Sequence, residues 1–244
     1  MLETKQESRR RMRRNPSILF APLAWLKLQF FCHVGDTEIS GFAITAKEDP
    51  LYVEDFITVR QHTSPVTVEL DDQAVADFMD RCVDDGLHLQ NVLRIWIHTH
   101  PGSSVEPSRR DEATFARVFG ACDWAVMFIL GRTANTFARL SFQVGPGAAV
   151  QIPTAVDWSA WAELVADPTF SITKCFDQWQ REFTTNIVPI DQPLVLPMLP
   201  LDASNQETRP LQPTAEAWEW NDLDQELWED FERHERALNE AHPP

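Results

Sequence analysis

The chain has 244 residues, 43% of them hydrophobic, which is enough for one sizeable domain with extensions. Its formal net charge of −16 argues against a general nucleic-acid-binding protein, because such a protein must neutralise phosphates with basic side chains. The four cysteines are widely spaced and form no CxxC pair, and three of them fall in apolar or helix-like stretches. This pattern predicts reduced thiols in a cytoplasmic protein and not a disulfide framework.

Both ends of the chain are charged, with opposite signs. Residues 1–16 form a basic arm, and residues 214–244 carry ten acidic side chains against two basic ones. The arm precedes an apolar stretch and resembles the start of a signal peptide, but Pro22, Lys27 and Gln29 interrupt that stretch. Its clean apolar run, 18–26, is far shorter than the about twenty residues of a membrane-spanning helix. We therefore expect no membrane association, and a first core strand and helix instead.

The next part of the chain alternates between strand-like and helix-like patterns. A strand and a helix are predicted within 18–34, and further strands at 38–45, 51–60, 66–70, 92–99 and 124–130. Helices are predicted from Asp71 to near Gly86 and at 112–119, and the second of these has Phe115, Val118 and Phe119 on one face. A hairpin is predicted over 137–144 and 149–152. This order predicts an α/β domain over residues 17–156, with a central mixed β-sheet flanked by helices.

Three further segments follow the predicted domain. Residues 157–188 form an aromatic helical extension, with two short helices expected around Pro168. Residues 189–213 contain six prolines and are expected to be an extended linker. Residues 214–244 are expected to form an acidic amphipathic helix, with Trp220 and Leu227 on its apolar stripe.

Residues 97–115, IHTHPGSSVEPSRRDEATF, raise the possibility of a metal site. Residues two apart on a strand face the same way, so His98 and His100 can point towards one place. Pro101 turns the chain away, and Asp111 returns in the first turn of the next helix. Two histidines and one carboxylate, with a fourth position left open, are typical of catalytic zinc sites.

Each of these features also has an ordinary structural explanation. Alternate histidines on a strand can simply face solvent, Ser108-x-x-Asp111 matches a capping box, and an acid in the first turn suits the helix dipole. Three liganding side chains, a turn and a helix start nevertheless fall in the order that a metal site requires. Taken together, they favour the metal site.

The same stretch resembles the signature of the JAMM metalloproteases, the catalytic form of the MPN domain. That signature is His-x-His, seven residues, Ser, two residues and Asp, with a glutamate upstream. Here it is matched by the HTH of residues 98–100, by Ser108 and Asp111, and by Glu38 at the start of the EISG of residues 38–41. The resemblance extends over about residues 18–156 and is closest to the bacterial stand-alone members of the family.

The resemblance implies a cytidine-deaminase-like MPN fold and one Zn²⁺ ion per chain, held by His98, His100 and Asp111. It implies that Glu38 is the general base and that Ser108 donates a hydrogen bond to the developing oxyanion. The acids near Glu38 are weaker candidates for the base and are expected to be solvated: Asp36, Glu48 and Glu54.

The activity implied by the resemblance is that of a zinc-dependent isopeptidase or peptidase. Its substrate would be the amide bond after the C-terminal glycine of a ubiquitin-like protein, in deconjugation or precursor processing, and E1- and E2-like conjugation enzymes are possible partners. A non-catalytic MPN scaffold and a zinc amidohydrolase for a small substrate are the alternatives. The complete set of five signature residues argues against the scaffold.

Overall fold

The computed structural model describes residues 16–190. The predictions for the basic arm before Pro16, for the proline-rich linker from residue 191 onward and for the acidic helix concern residues outside this range. Within residues 16–190, no helix is long and apolar enough to cross a membrane.

The described range begins with a short strand and a helix, as expected, and then alternates between strands and helices. The strands are β1 Ile18–Phe20, β2 Ile39–Ala46, β3 Asp49–Ile57, β4 Gln61–Thr63, β5 Val68–Leu70, β6 Ile95–His100, β7 Trp124–Gly131, β8 Thr136–Phe142, β9 Ala148–Gln151, β10 Thr154–Val156 and β11 Ile187–Pro189. The helices are α1 Pro22–Val34, α2 Asp72–Asp84, α3 Arg109–Phe119, α4 Trp161–Ala166 and α5 Ile172–Asn186. Short 3₁₀ turns occupy Leu89–Asn91 and Trp158–Ala160.

Eight strands form a curled mixed sheet in the order β10-β1-β3-β2-β6-β7-β8-β9. The central strand β6 runs antiparallel to β2 and parallel to β7. Strands β9 and β10 are consecutive in the chain, yet β9 pairs with β8 at one end of the sheet and β10 pairs with β1 at the other. The sheet must curl to bring its two ends within reach of this one segment. A second sheet has the order β11-β4-β5.

The two faces of β6 contribute to different layers of the core. Ile95 and Ile97 point into a cluster that includes the buried residues of α1 and α5. Trp96 points the other way, into a cluster formed with α2 and α3. Since side chains alternate along a strand, His98 and His100 lie on the same face as Trp96, towards α3.

The segment after residue 156 contains the helices α4 and α5, and α5 takes part in the first core cluster. Trp179 of α5 is buried, and its ring lies 5.8 Å from that of Phe30 of α1. The buried ammonium of Lys27 in α1 lies 2.9 Å from Glu182 of α5 and 3.2 Å from Asp55 of β3. This polar junction holds α5 against the helix and the strand beneath it.

Two predictions for individual residues are corrected by the structure. Val118 was expected on the buried face of α3, but it is 47% exposed, because the buried stripe consists of Asp111, Phe115 and Phe119 at intervals of four. Strand β4 was not predicted, since Gln61 and Thr63 are polar although both are fully buried.

Candidate metal centre

The two histidines lie at the carboxyl end of β6, in the middle of the large sheet. His98 is fully buried, and His100 is half-buried at the end of the strand. Hydrogen bonding of β6 to strands on both sides fixes the backbone from which the two imidazoles project. Their ring centroids are 5.1 Å apart, so the two rings are adjacent on one face of the sheet.

Asp111 comes back to these rings at the start of α3. Ser108 is the N-cap of the helix, and its Oγ accepts a hydrogen bond of 3.1 Å from the Asp111 N–H. The Ser108 N–H donates in turn to Asp111 Oδ2 at 2.7 Å, which completes a capping box. The capping box is therefore present, and it orients the Asp111 carboxylate towards the histidines.

The three predicted ligands converge. Asp111 Oδ1 lies 3.4 Å from His98 Nε2, and Asp111 Oδ2 lies 3.7 Å from His100 Nε2. Each residue offers one ligand atom to a set whose members all lie within 4.8 Å of one another. Among residues 16–190, no other group of three or more histidine, cysteine or acidic side chains meets this condition.

A backbone contact sets the tautomer of His100. Its Nδ1 lies 3.0 Å from the carbonyl oxygen of Ser104, in the loop between β6 and α3. A carbonyl oxygen only accepts hydrogen bonds, so Nδ1 carries a proton, and Nε2 is the nitrogen that faces Asp111 and can bind a metal. Metal-binding histidines are commonly oriented through their second nitrogen in this way.

The donor set fits a metal cation. Three buried imidazole nitrogens lack any hydrogen-bond partner in the structure: His98 Nδ1, His98 Nε2 and His100 Nε2. Leaving buried polar atoms unpaired is costly, and a cation beside the two Nε2 atoms and the Asp111 carboxylate would remove most of that cost. His98, His100 and Asp111 could therefore hold a metal ion.

The pKa shifts of His98 and Asp111 favour the protonation states that bind a cation. Burial lowers the pKa of His98, which favours its neutral, liganding form. Burial opposes ionisation of Asp111, but its contacts with the two histidines and with the Ser108 N–H outweigh burial and hold its pKa well below the usual range. Burial also opposes the charging of His100, but the neighbouring carboxylates of Asp111 and Glu38 prevail and raise its pKa. A cation bound at His100 would therefore take the place of a proton on the imidazole.

Glu38 lies beside the cluster, immediately before β2. Its Oε1 is 3.7 Å from His100 Nε2, its side chain is almost fully buried, and its N–H donates to the Ser64 carbonyl at 2.8 Å. Burial raises the pKa of Glu38 to about 8, with a further upward contribution from Asp111 and opposing effects of His100 and Arg110. Glu38 thus stands next to the ligands without being one of the three that converge.

The other acids considered from the sequence are on the surface. Asp36 forms an ion pair of 3.0 Å with Arg132 and its side chain is 91% exposed. Glu48 and Glu54 are both exposed. None of the three belongs to the group that could hold a metal.

Several residues that support the site were not identified from the sequence. The side-chain amide of Gln61 exchanges hydrogen bonds of 2.8 Å with the backbone of Ser40, which lies on β2 two residues after Glu38. Gly131, opposite His100 on β7, allows the loop before α3 to approach, because a Cβ there would lie 3.0 Å from Val105 and 3.2 Å from the Ser103 carbonyl. Glycine at the end of an apolar strand was the only sequence signal for this close approach.

No protein-family model and no curated protein sequence matches the chain.

Proposed function

We propose that the chain is a zinc-dependent hydrolase of the JAMM type, with an MPN fold, that cleaves the amide bond after the C-terminal glycine of a ubiquitin-like protein. One observation carries the proposal: His98, His100 and Asp111 converge in a buried cluster whose imidazole nitrogens lack partners, with Glu38 beside them. Two imidazoles and one carboxylate favour zinc over magnesium or calcium, which prefer oxygen ligands.

The proposed fold is supported by where the signature residues lie. The histidines end a central strand, the aspartate starts the next helix, and the glutamate precedes the antiparallel strand beside the histidines. This arrangement brings four residues from three separate parts of the sequence to one end of β6. The spacing of the signature and the topology of the sheet thus support the same assignment independently.

A zinc ion held by these ligands would lower the pKa of a coordinated water towards neutrality and polarise a substrate carbonyl. The chain itself supplies the proton transfer. Glu38 Oε1 lies 3.7 Å from His100 Nε2 in a buried position, where it can accept a proton beside the ligands and release it to the leaving amine. Burial raises the pKa of the Glu38 carboxyl in the metal-free protein, and the charge of a bound zinc ion would oppose that effect and favour the carboxylate that accepts a proton.

The hydroxyl group of Ser108 can donate a hydrogen bond to an oxyanion. Its Oγ already accepts the Asp111 N–H, and a serine hydroxyl can donate one hydrogen bond as well as accept. The half-buried Ser108 side chain lies at the helix N-terminus, where the dipole also favours negative charge. Ser108 is therefore the residue that we assign to the oxyanion.

The ubiquitin-like substrate and the E1- and E2-like partners are proposed from the resemblance in the signature. A cytoplasmic location is proposed with them, and it agrees with four cysteines that are all free: Cys32, Cys82, Cys122 and Cys175.

The test combines zinc content with cleavage of a Gly-Gly-lysine isopeptide reporter. We expect about one zinc per chain, lost in His98→Ala, His100→Ala and Asp111→Ala. Glu38→Gln should retain zinc and lose about 10²-fold or more in kcat, whereas Asp36→Asn, which changes an exposed acid two positions away, should behave as wild type. Zinc binding without reporter cleavage would contradict the proposed substrate and favour a scaffold or a small-amide hydrolase. A protein without zinc would contradict the proposal as a whole.

A further inference from the structure

The indole of Trp96 lies directly against the imidazole of His98. The two residues share one face of β6, their ring centroids are 4.4 Å apart, and their planes differ by 30°. Trp96 is 3% exposed and His98 is fully buried, so water does not compete for this contact. The ring of His98 therefore rests on a large flat surface.

The two histidines of the candidate metal centre are oriented differently. His100 is oriented by the Ser104 carbonyl through Nδ1. His98 Nε2 faces Asp111, but Nδ1, the nitrogen through which a liganding histidine is usually oriented, has no hydrogen-bond partner in the structure. The stack on Trp96 takes the place of that hydrogen bond as the contact that sets the plane of the His98 ring.

Trp96 is itself firmly held from two other directions. Its Nε1–H donates a hydrogen bond of 2.6 Å to Ser40 Oγ on β2. On the side of α3, its ring is nearly parallel to those of Phe115 and Phe119, at 6.4 and 6.5 Å. Residues four apart lie on one stripe of a helix, so the helix face that meets Trp96 is the face that carries Asp111.

We propose that Trp96 is a positioning residue of the metal site, an inference that rests on the proposed function. Trp96 fixes the plane of the His98 ring and, through Phe115 and Phe119, the separation between β6 and α3. The plane of the His98 ring and the separation of β6 from α3 must both be correct for His98 Nε2 and Asp111 Oδ1 to bind the same ion. A smaller or non-aromatic side chain at position 96 leaves His98 free to tilt and α3 free to shift.

The test is the affinity for Zn²⁺ alone, measured by competition with a chromophoric chelator. Trp96→Met removes the ring but fills much of its volume, and we expect affinity to fall about 10-fold or more, the range seen when the groups that orient metal ligands are lost. Trp96→Phe keeps an aromatic surface and should remain within about threefold of wild type.

Phe78→Leu is the matched control. Phe78 is buried in the same core cluster and stacks on Phe42 at 5.5 Å, but it lies on α2, which carries no ligand. This variant should lose thermal stability as Trp96→Met does, with zinc affinity unchanged. If Trp96→Met binds zinc as tightly as Phe78→Leu does, the positioning role is wrong while the metal site stands. If the wild type itself binds no zinc, both proposals are wrong.

A spectroscopic measurement decides the question if the methionine variant does not fold. The visible absorption bands of bound Co²⁺ depend on the geometry of its ligands. Trp96→Phe loses the hydrogen bond to Ser40 and part of the surface under His98, so its Co²⁺ bands should differ from those of the wild type, whereas the bands of Phe78→Leu should not. Identical bands in Trp96→Phe and the wild type would show that Trp96 does not set the ligand geometry, and would overturn the proposal.

Discussion

The carboxylate of Glu112 and the guanidinium of Arg139 form two parallel hydrogen bonds, each 2.6 Å long. Glu112 follows Asp111 in the first turn of α3, and Arg139 projects from β8, so the pair ties the ligand-bearing turn to the sheet. The guanidinium also lies 5.6 Å from the centre of the Phe115 ring. Bidentate pairs of this kind fix geometry as well as adding stability.

Arg139→Met should therefore weaken both the fold and the metal site. The pair is partly exposed, and we expect a loss of about 1–2 kcal/mol in the free energy of unfolding by urea, together with a severalfold lower zinc affinity. Arg94→Met is the control, because Arg94 pairs with Asp123 at the opposite end of β6 from His100. It should lower stability only. Equal zinc affinities in the two variants would contradict a link from this pair to Asp111.

Ser108→Ala should have two separable effects. Loss of the N-cap should cost about 1 kcal/mol of stability, and loss of the hydroxyl donor should lower kcat on the isopeptide reporter about 10²-fold. Ser171→Ala removes a matched cap, since the Ser171 side chain accepts from the Lys174 N–H at the start of α5. It should show the stability loss without the kinetic one. Similar turnover in the two variants would show that the Ser108 hydroxyl does not take part in the reaction.

Gly131→Ala should disturb the loop that orients His100. The added Cβ would lie 3.0 Å from Val105 and 3.3 Å from the Gly102 carbonyl, so the loop carrying Ser104 must shift. We expect zinc affinity to fall severalfold in the chelator competition assay. Gly102→Ala, whose Cβ would meet nothing within 4 Å, should bind zinc as the wild type does. If both alanine variants retain full zinc affinity, zinc binding does not depend on the present position of the loop.

The metal-free protein should lose stability as the pH rises from about 4.5 to 8, because of Glu38. Burial raises the pKa of this carboxyl from 4.5 to about 8, so across that window the folded state keeps a proton that the unfolded chain has released. A folded state that binds more protons is stabilised at low pH, and the contribution disappears once the pH exceeds the folded pKa. Glu38→Gln has no such proton to lose.

The measurement is urea unfolding in EDTA at several pH values. The stability of Glu38→Gln relative to wild type should increase from pH 5 to pH 8 and then level off. Two curves that stay parallel over this range would show that Glu38 is not protonated in the folded, metal-free state.

Local patterns in the sequence were sufficient to predict the central elements and the convergence of three side chains. Strand alternation placed His98 and His100 on one face, and the helix start placed Asp111 within reach, because both depend on fixed backbone geometry. The catalytic roles of Glu38 and Ser108 remain predictions.

Contacts between distant parts of the chain were not predictable in the same way. Gln61 is buried because its amide pairs with the backbone of Ser40, and no pattern of hydrophobicity around residue 61 indicates that. Val118 was assigned to the buried face of α3 because it is apolar. The buried face in fact includes the charged residue Asp111, which a pattern of apolar residues does not reveal. The packing of Trp179 against α1 likewise depends on a helix that follows the rest of the core in the sequence.

The pairing of β1 with β10 has a consequence for the order of folding. Ile18 is hydrogen-bonded in register with Thr154, so a strand at the start of the described chain acquires one of its neighbours only after nearly the whole sheet has been synthesised. Closing so long a loop is entropically costly, and contacts between residues this distant in sequence slow folding. On the ribosome, the edge of β1 that later meets β10 must stay unpaired until residue 156 has emerged. We expect refolding to be slow, and the nascent chain to be most prone to aggregation just before that point.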